Sequence, residues 1–220
     1  AFLKTKPELK DPDVQLHFVV AMVDDHARKM HMGHGFSCHV CLLRPHSRGS
    51  LTLQGNSMDK PPLIDIGFLK DPRDLDALVD GFKLTRKIMH APAMAKWILK
   101  DKFTEGVQTD AEIREVLRNR VDTVYHPTGT CKMGVDAMSV VDPQLRVHGL
   151  TGLRIVDASV MPSLIGGNTN APVMMMAEKA VDMIRGVSRV QALDLENGQA
   201  GQLDSARLDR VAQALTPMPV

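Results

Sequence analysis

The sequence predicts an α+β fold in which a mainly antiparallel sheet is flanked by helices. Three observations predict it: strand-like runs dominate the amino-terminal part, two helices with clear start signals follow, and a strand pair leads into a last helix. A G-x-G-x-x-G turn after an early strand and a Walker-type loop are both absent. The residues present therefore do not encode a complete dinucleotide-binding unit.

Four strand candidates lie in the amino-terminal part. An apolar run predicts a strand over 13–23, and a second candidate covers 35–43. A turn-rich segment at 44–49 separates this second candidate from residues 50–54, whose alternating polar and apolar residues predict its hairpin partner. Another short strand is expected at 63–66, after a double proline.

Two helices follow, and each has a recognisable beginning. Asp71 has the position of an N-cap and Pro72 that of the first helical residue, and an apolar stripe continues to about His90. Thr109 and Glu112 have the spacing of a capping box, which predicts the start of the second helix.

The carboxyl-terminal part has a different character. Strands are predicted at 144–147 and 153–156, and a loop rich in Gly and Asn at 166–170 leads into a helix over about 171–185. Residues 187–220 are polar, so the sequence predicts either one weak amphipathic helix or a mobile tail there.

Composition excludes several classes of function. The net charge of +1 in 220 residues gives no support for a nucleic-acid partner. No apolar run reaches transmembrane length, although peripheral association with a membrane stays open. Three cysteines do not suggest a disulfide framework, which favours a cytoplasmic protein. The chain begins at Ala1, so we expect a processed protein or an excerpt of a longer one.

A metal site is the most obvious alternative interpretation of one histidine-rich segment. Cys38 and Cys41 lie there on a predicted strand, where residues three apart point to opposite faces and cannot close on one ion. We therefore predict no metal site. The basic turn at 44–49 could meet a phosphate, but such turns are more often solvated. The histidines of the segment are His26, His31, His34, His39 and His46.

His126 lies in a different context, a loop of small and turn-forming residues at 125–134. Pro127 disfavours helical geometry at the residue before it, which suits a histidine presented as a general base or acid. On the residues alone, a catalytic and a structural role remain equally open. Asn168 offers amide donors and acceptors in the second loop, and Asp157 terminates a predicted strand.

Four blocks of sequence resemble the glucose-methanol-choline (GMC) family of FAD-dependent oxidoreductases. They are Arg-Pro-His-Ser-Arg-Gly at 44–49; Ile-Asp at 64–65 with Asp-Pro-Arg-Asp-Leu at 71–75; Tyr-His-Pro-Thr-Gly-Thr-Cys-Lys-Met-Gly at 125–134; and Leu-Arg-Ile-Val-Asp-Ala-Ser-Val-Met-Pro at 153–162 with Gly-Asn-Thr-Asn-Ala-Pro at 167–172. The resemblance is greatest to bacterial choline dehydrogenase-like and aliphatic alcohol dehydrogenase members.

The resemblance implies three regions: a substrate-binding domain over 1–139, a segment over 140–186 that completes the FAD domain, and the tail. It also implies that His126 takes the hydroxyl proton of an alcohol and that Asn168 hydrogen-bonds the substrate oxygen. The residues implied to lie beside the flavin are Asp157 and Ala158, along its ribityl and phosphate region, and Asn170, Ala171 and Pro172, at the O2 edge of the ring.

The family's amino-terminal half, which holds most of the FAD, is missing from these residues. We therefore expect the longer enzyme to oxidise a primary alcohol, aliphatic or choline-like, and this chain alone to be inactive and free of FAD. The scarcity of aromatic residues (4%) favours an aliphatic alcohol over choline, which aromatic cages recognise. Two alternatives remain: a non-catalytic fragment or binding module, and a metal hydrolase built on His31, His34 and His39.

Overall fold

The computed structural model describes residues 1–25, 28–29 and 31–186. The chain divides into two compact units, 1–177 and 178–220. The domain boundary expected near residue 139 stays a prediction. The tail predicted at 187–220 lies outside the described residues.

The first sheet is antiparallel and has three strands in the order β1-β2-β3. They are β1 (Phe2–Leu3), β2 (Val14–Val19) and β3 (Ser37–Leu42). The prediction that the second of these extends to residue 23 is wrong, because β3 begins at Ser37, opposite Val19. Beyond that point the chain is held by a side chain instead: Ser37 Oγ accepts from the Val23 amide at 3.0 Å.

The second sheet is a separate antiparallel pair of β4 (Ser50–Thr52) and β5 (Leu63–Asp65). The expected hairpin between residues 50–54 and the strand at 35–43 is therefore wrong. Between β3 and β4 the chain turns toward the next helix, where the Asp74 carboxylate accepts from the backbone amides of His46 and Ser47, each at 2.8 Å. This diverts β4 away from β3.

The two predicted helix starts are confirmed. Helix α1 (Pro72–Met89) is capped by Asp71, whose side chain accepts from the Arg73 amide, and His90 is its C-cap. A short helix α2 (Pro92–Ala95), which was not predicted, follows. Helix α3 (Asp110–Arg120) has the complete capping box of Thr109 and Glu112.

Helix α1 packs against one face of β2 and β3. A Cβ placed on Gly81 would lie 2.9 Å from Val40 Cγ2 and 3.2 Å from Val14 Cγ1, so only glycine allows this approach. Val14 on β2 and Ile113 on α3 are completely buried, and Leu78 on α1 is only 6% exposed. The opposite face of β2 and β3 is thereby left for the functional site.

The strands predicted at 144–147 and 153–156 are wrong, since only isolated bridges join Val141 to Val147 and Arg146 to Arg154. Leu145 has a φ of 65°, in the left-handed region, which interrupts extended structure there. A single 3₁₀ turn (Ala158–Val160) and helix α4 (Asn170–Arg185) follow, the latter starting one residue before its predicted position. Among the described residues no helix has the length and apolarity needed to cross a membrane.

Candidate active site

The loop that carries His126 is tightly constrained. Tyr125 has a φ of 65°, which is unfavourable for a non-glycine residue, and its amide donates to Thr123 Oγ1 at 3.0 Å. Pro127 follows directly, and Gly129 has a φ of 86°. Backbone strain on one side of His126 and a fixed proline φ on the other leave the imidazole few orientations.

Both ring nitrogens of His126 are engaged by the Gly- and Asn-rich loop that precedes α4. Nδ1 lies 2.8 Å from Thr169 Oγ1, and Nε2 lies 3.2 Å from Asn168 Nδ2. The structure therefore brings together His126 and Asn168, the two residues predicted to be catalytic. With the amide nitrogen of Asn168 facing Nε2, this arrangement corresponds to the tautomer in which Nε2 is unprotonated and Nδ1–H donates to Thr169.

Strand β2 contributes a third residue, Gln15, whose Nε2 donates to Asn168 Oδ1 at 3.3 Å. In the register of the sheet, Gln15 is opposite Cys41 and His17 is opposite His39. Alternation along the strands places these four side chains on one face, opposite the face that packs on α1. We call Gln15, His17, His39 and Cys41 the polar sheet wall of the site.

The polar sheet wall carries two imidazoles with lowered basicity. Burial lowers the pKa of His17, and the positive charge of the Ala1 amino group, followed by those of His39 and His126, lowers it further. Partial desolvation lowers the pKa of His39, although that side chain reaches the solvent. Cys41 Sγ lies 3.4 Å from His17 Nε2, and burial raises the pKa of this thiol. At neutral pH the wall is thus uncharged.

The lowered pKa values of His17 and His39 predict how stability depends on pH. Below an unfolded-state pKa of about 6.5, the unfolded chain takes up protons that the folded chain resists, so the free energy of unfolding falls as the pH falls. In the double variant His17→Gln, His39→Gln we expect a shallower slope between about pH 6.5 and pH 5. Urea unfolding at several pH values measures it, with His90→Gln as control; equal slopes for wild type and double variant would contradict the assignment.

The segment with Asp157 and Ala158 runs beside the His126 loop. The Cys131 amide donates to Ser159 O at 2.9 Å, and the Met133 amide donates to Val160 O at 2.8 Å. Asp157 caps the 3₁₀ turn by accepting from the Ser159 amide at 2.7 Å, and its side chain is exposed. Its local role is therefore that of a cap; contact with a cofactor stays a prediction.

Asn170, Ala171 and Pro172 form the first turn of α4, directly after the residues that contact His126. The first amides of a helix have no partner within it, and they form the positive end of its dipole. Asn170 and Ala171 are exposed at this end. The donors and the dipole suit a group that becomes anionic on reduction, such as the pyrimidine edge of a flavin.

The Arg44 side chain accounts for the presence of glycine at position 166, two residues before Asn168. A Cβ on Gly166 would collide with the Arg44 guanidinium, and Arg44 Nη1 donates to Pro12 O at 2.8 Å. The space at Gly166 is thus filled by Arg44 from the turn at 44–49. Two amides of that turn, those of His46 and Ser47, donate to the Asp74 carboxylate.

Among the described residues, those considered for a metal site are dispersed, and His26 lies outside the described residues. Cys38 is opposite Phe18 in the sheet and Cys41 is opposite Gln15, which places the two thiols on opposite faces. His31 is bound by Asp24 and Lys102 through its two ring nitrogens. In the part of the chain that the structure describes, no group of three potential ligands is close enough to hold a metal ion.

Thr169 and Gln15 were not predicted as site residues. Thr169 lies between two asparagines that were, so its position offered a signal. Gln15 is 153 residues away from Asn168 in the chain, and only the strand register reveals that it shares the site.

Comparison with known proteins places most of the chain in one family. The family model described as GMC oxidoreductase matches residues 45–177. An alcohol dehydrogenase (acceptor) from Pseudomonas putida is 44% identical over 199 residues, which cover 90% of this chain and 36% of that protein. An oxygen-dependent choline dehydrogenase from Escherichia coli (strain SMS-3-5 / SECEC) is 41% identical over 187 residues, covering 84% and 33%. The chain thus spans about a third of the length of these relatives.

Solved structures give the same picture. Pyridoxine 4-oxidase from Mesorbium loti superposes with a TM-score of 0.78 at 28% identity, covering 86% of this chain and 38% of that one. A formate oxidase superposes with a TM-score of 0.73 at 28% identity, covering 81% and 32%.

Proposed function

Because the chain belongs to the GMC oxidoreductase family, we propose that it forms the substrate-facing, carboxyl-terminal part of an FAD-dependent alcohol dehydrogenase. In this proposal the longer protein oxidises a primary alcohol to an aldehyde. The observation that carries it is the contact between His126 Nε2 and the Asn168 amide, which sets a proton acceptor beside a hydrogen-bond donor on an exposed loop.

His126 is the base in this reaction. An alcohol hydroxyl is far too weak an acid to ionise in water, so its proton must pass to a positioned acceptor as the carbinol C–H bond breaks. Nε2 is unprotonated when Nδ1–H donates to Thr169. A neutral imidazole with a free ring nitrogen can accept this proton.

Asn168 stabilises the oxygen that loses the proton. Its amide nitrogen donates to His126 Nε2 in the free site, at 3.2 Å, and the same donor can turn to the substrate oxygen. A neutral amide stabilises developing alkoxide character without adding a charge that would repel a proton acceptor.

FAD, when bound, supplies the acceptor for the hydride of the carbinol carbon. The residues of this chain that would hold it are Asp157, Ala158, Asn170, Ala171 and Pro172. Support for this comes from the exposed start of α4, where Asn170 and Ala171 carry backbone amide donors, and from the backbone bonds that hold the Asp157 segment beside the His126 loop.

The polar sheet wall favours an uncharged alcohol as substrate. Its members are neutral at physiological pH, and it offers neither a carboxylate nor the face of a Phe, Tyr or Trp ring, the groups that recognise a quaternary ammonium. A cationic substrate would also raise the cost of protonating His126 nearby. An aliphatic alcohol, rather than choline, is therefore the substrate class that these residues support best.

Free thiols support a cytoplasmic location for the longer protein. Cys38, Cys41 and Cys131 are all unpaired, as expected for a reducing compartment. Peripheral association with a membrane is compatible with this proposal.

The proposal is tested by expressing both this 220-residue chain and the longer protein that contains it. We expect the longer protein to show flavin absorbance and to reduce a dye with primary aliphatic alcohols more efficiently than with choline. The chain alone should show neither property, because most contacts to FAD lie outside it. Flavin absorbance and alcohol oxidation by the chain alone, or preference of the longer protein for choline, would refute the respective part of the proposal.

A further inference from the structure

Gln15 connects the central strand of the first sheet to the catalytic loop. Its backbone is fixed on both sides, because β2 pairs with β1 at Phe2 and with β3 at Cys41. Its side chain is half-buried and donates from Nε2 to Asn168 Oδ1 at 3.3 Å. The chain of contacts then continues from Asn168 to His126 and on to Thr169.

The direction of this hydrogen-bond chain decides which nitrogen of His126 is the base. An asparagine amide has nearly the same shape in its two orientations, so packing does not distinguish them. Thr169 does not distinguish them either, since a hydroxyl donates or accepts equally well. The Gln15 amide has the same two orientations, and in this structure its Nε2 faces Asn168 Oδ1, which turns Nδ2 of Asn168 toward His126 and leaves Nε2 of His126 without a proton.

We propose that Gln15 is a positioning residue that sets the amide of Asn168 and, through it, the tautomer of His126 in which Nε2 is free to accept a proton. The tautomer itself is a property of this chain. Its importance for turnover rests on the proposed function.

Two substitutions at Gln15 separate the donor from the acceptor. In Gln15→Glu the new carboxylate accepts only, so the Asn168 amide must rotate, present Oδ1 to Nε2 and favour the tautomer protonated there. In Gln15→Lys the new ammonium donates only, so the amide keeps its orientation and His126 keeps its tautomer. Gln54→Glu introduces the same chemical change in the loop between β4 and β5, where Gln54 Nε2 donates to Pro61 O, and serves as the control.

The readout is the protonation of the two ring nitrogens of His126 in the chain labelled with ¹⁵N-histidine. Long-range ¹H–¹⁵N spectra at about pH 8, above the ordinary imidazole pKa of ~6.5, distinguish the two tautomers. His126→Gln identifies the signals to be followed. We expect a proton on Nδ1 in the wild type, Gln15→Lys and Gln54→Glu, and a proton on Nε2 in Gln15→Glu.

A proton on Nε2 in the wild type, or an unchanged tautomer in Gln15→Glu with the remaining spectrum intact, would overturn the proposal. In the longer protein, Gln15→Glu should lower kcat by roughly 10- to 100-fold, within the range of a misplaced general base, with a smaller change in KM. If the longer protein oxidises no alcohol, the proposed function fails while the spectra still test the role of Gln15.

Discussion

Replacing His126 with alanine in the longer protein is expected to lower kcat by at least about 100-fold, because a positioned general base contributes roughly 10²–10⁴-fold. The substitution removes the imidazole that lies within hydrogen-bond distance of both Asn168 and Thr169. Flavin content should stay unchanged, since the implied cofactor residues lie in other segments. Steady-state kinetics with a dye acceptor, combined with the flavin spectrum, measures both effects.

His90→Ala is the matched control for this substitution. His90 is exposed, and it caps α1 through its backbone rather than through its imidazole. It should retain full turnover. An unaffected rate in His126→Ala would remove His126 from the mechanism, whereas equal losses in both variants would indicate general damage to the fold.

The features that sequence predicted best are those set by local chemistry. The starts of α1 and α3 depend only on residues within one helical turn, so the sequence alone is enough to predict them. These residues are Asp71 and Pro72 for α1, and the capping box of Thr109 and Glu112 for α3. His126 and Asn168 could be named because each lies in a distinctive loop. Their mutual contact depends on the fold.

The features that sequence missed are those decided by distant partners. The pairing of β4 with β5 rather than with β3 follows from a buried carboxylate on α1 that binds the preceding turn. Gln15 looks like any polar residue of an alternating strand until the register brings it to Asn168. A periodic pattern predicts which face of a strand is polar. Which residues that face contacts depends on the tertiary structure.

The buried carboxylate of Asp74 is the subject of the second prediction, a large loss of stability when it is removed. Asp74 is only 3% exposed, and both its oxygens accept backbone hydrogen bonds from the turn at 44–49. Ser47 Oγ accepts from the Asp71 amide at 3.0 Å, so the turn and the start of α1 hold each other. The same turn begins at Arg44, whose guanidinium fills the space beside Gly166 in the loop of Asn168.

Asp74→Ala is expected to lower the free energy of unfolding by roughly 2–4 kcal/mol. The substitution leaves two backbone donors without a partner, and each unsatisfied buried donor costs about 1–3 kcal/mol, less where water can enter. This is a large part of the roughly 5–15 kcal/mol that stabilises an ordinary domain. Urea denaturation followed by circular dichroism measures the loss as a lower transition midpoint.

Asp76→Ala supplies the comparison, since Asp76 lies two residues further along α1 but its carboxylate is exposed and pairs with Arg114. An exposed ion pair contributes at most about 1 kcal/mol, so this variant should unfold close to the wild type. Asp74→Asn should fall between the two, because its amide oxygen still accepts one of the two bonds. If Asp74→Ala is no less stable than Asp76→Ala, the carboxylate does not anchor the turn.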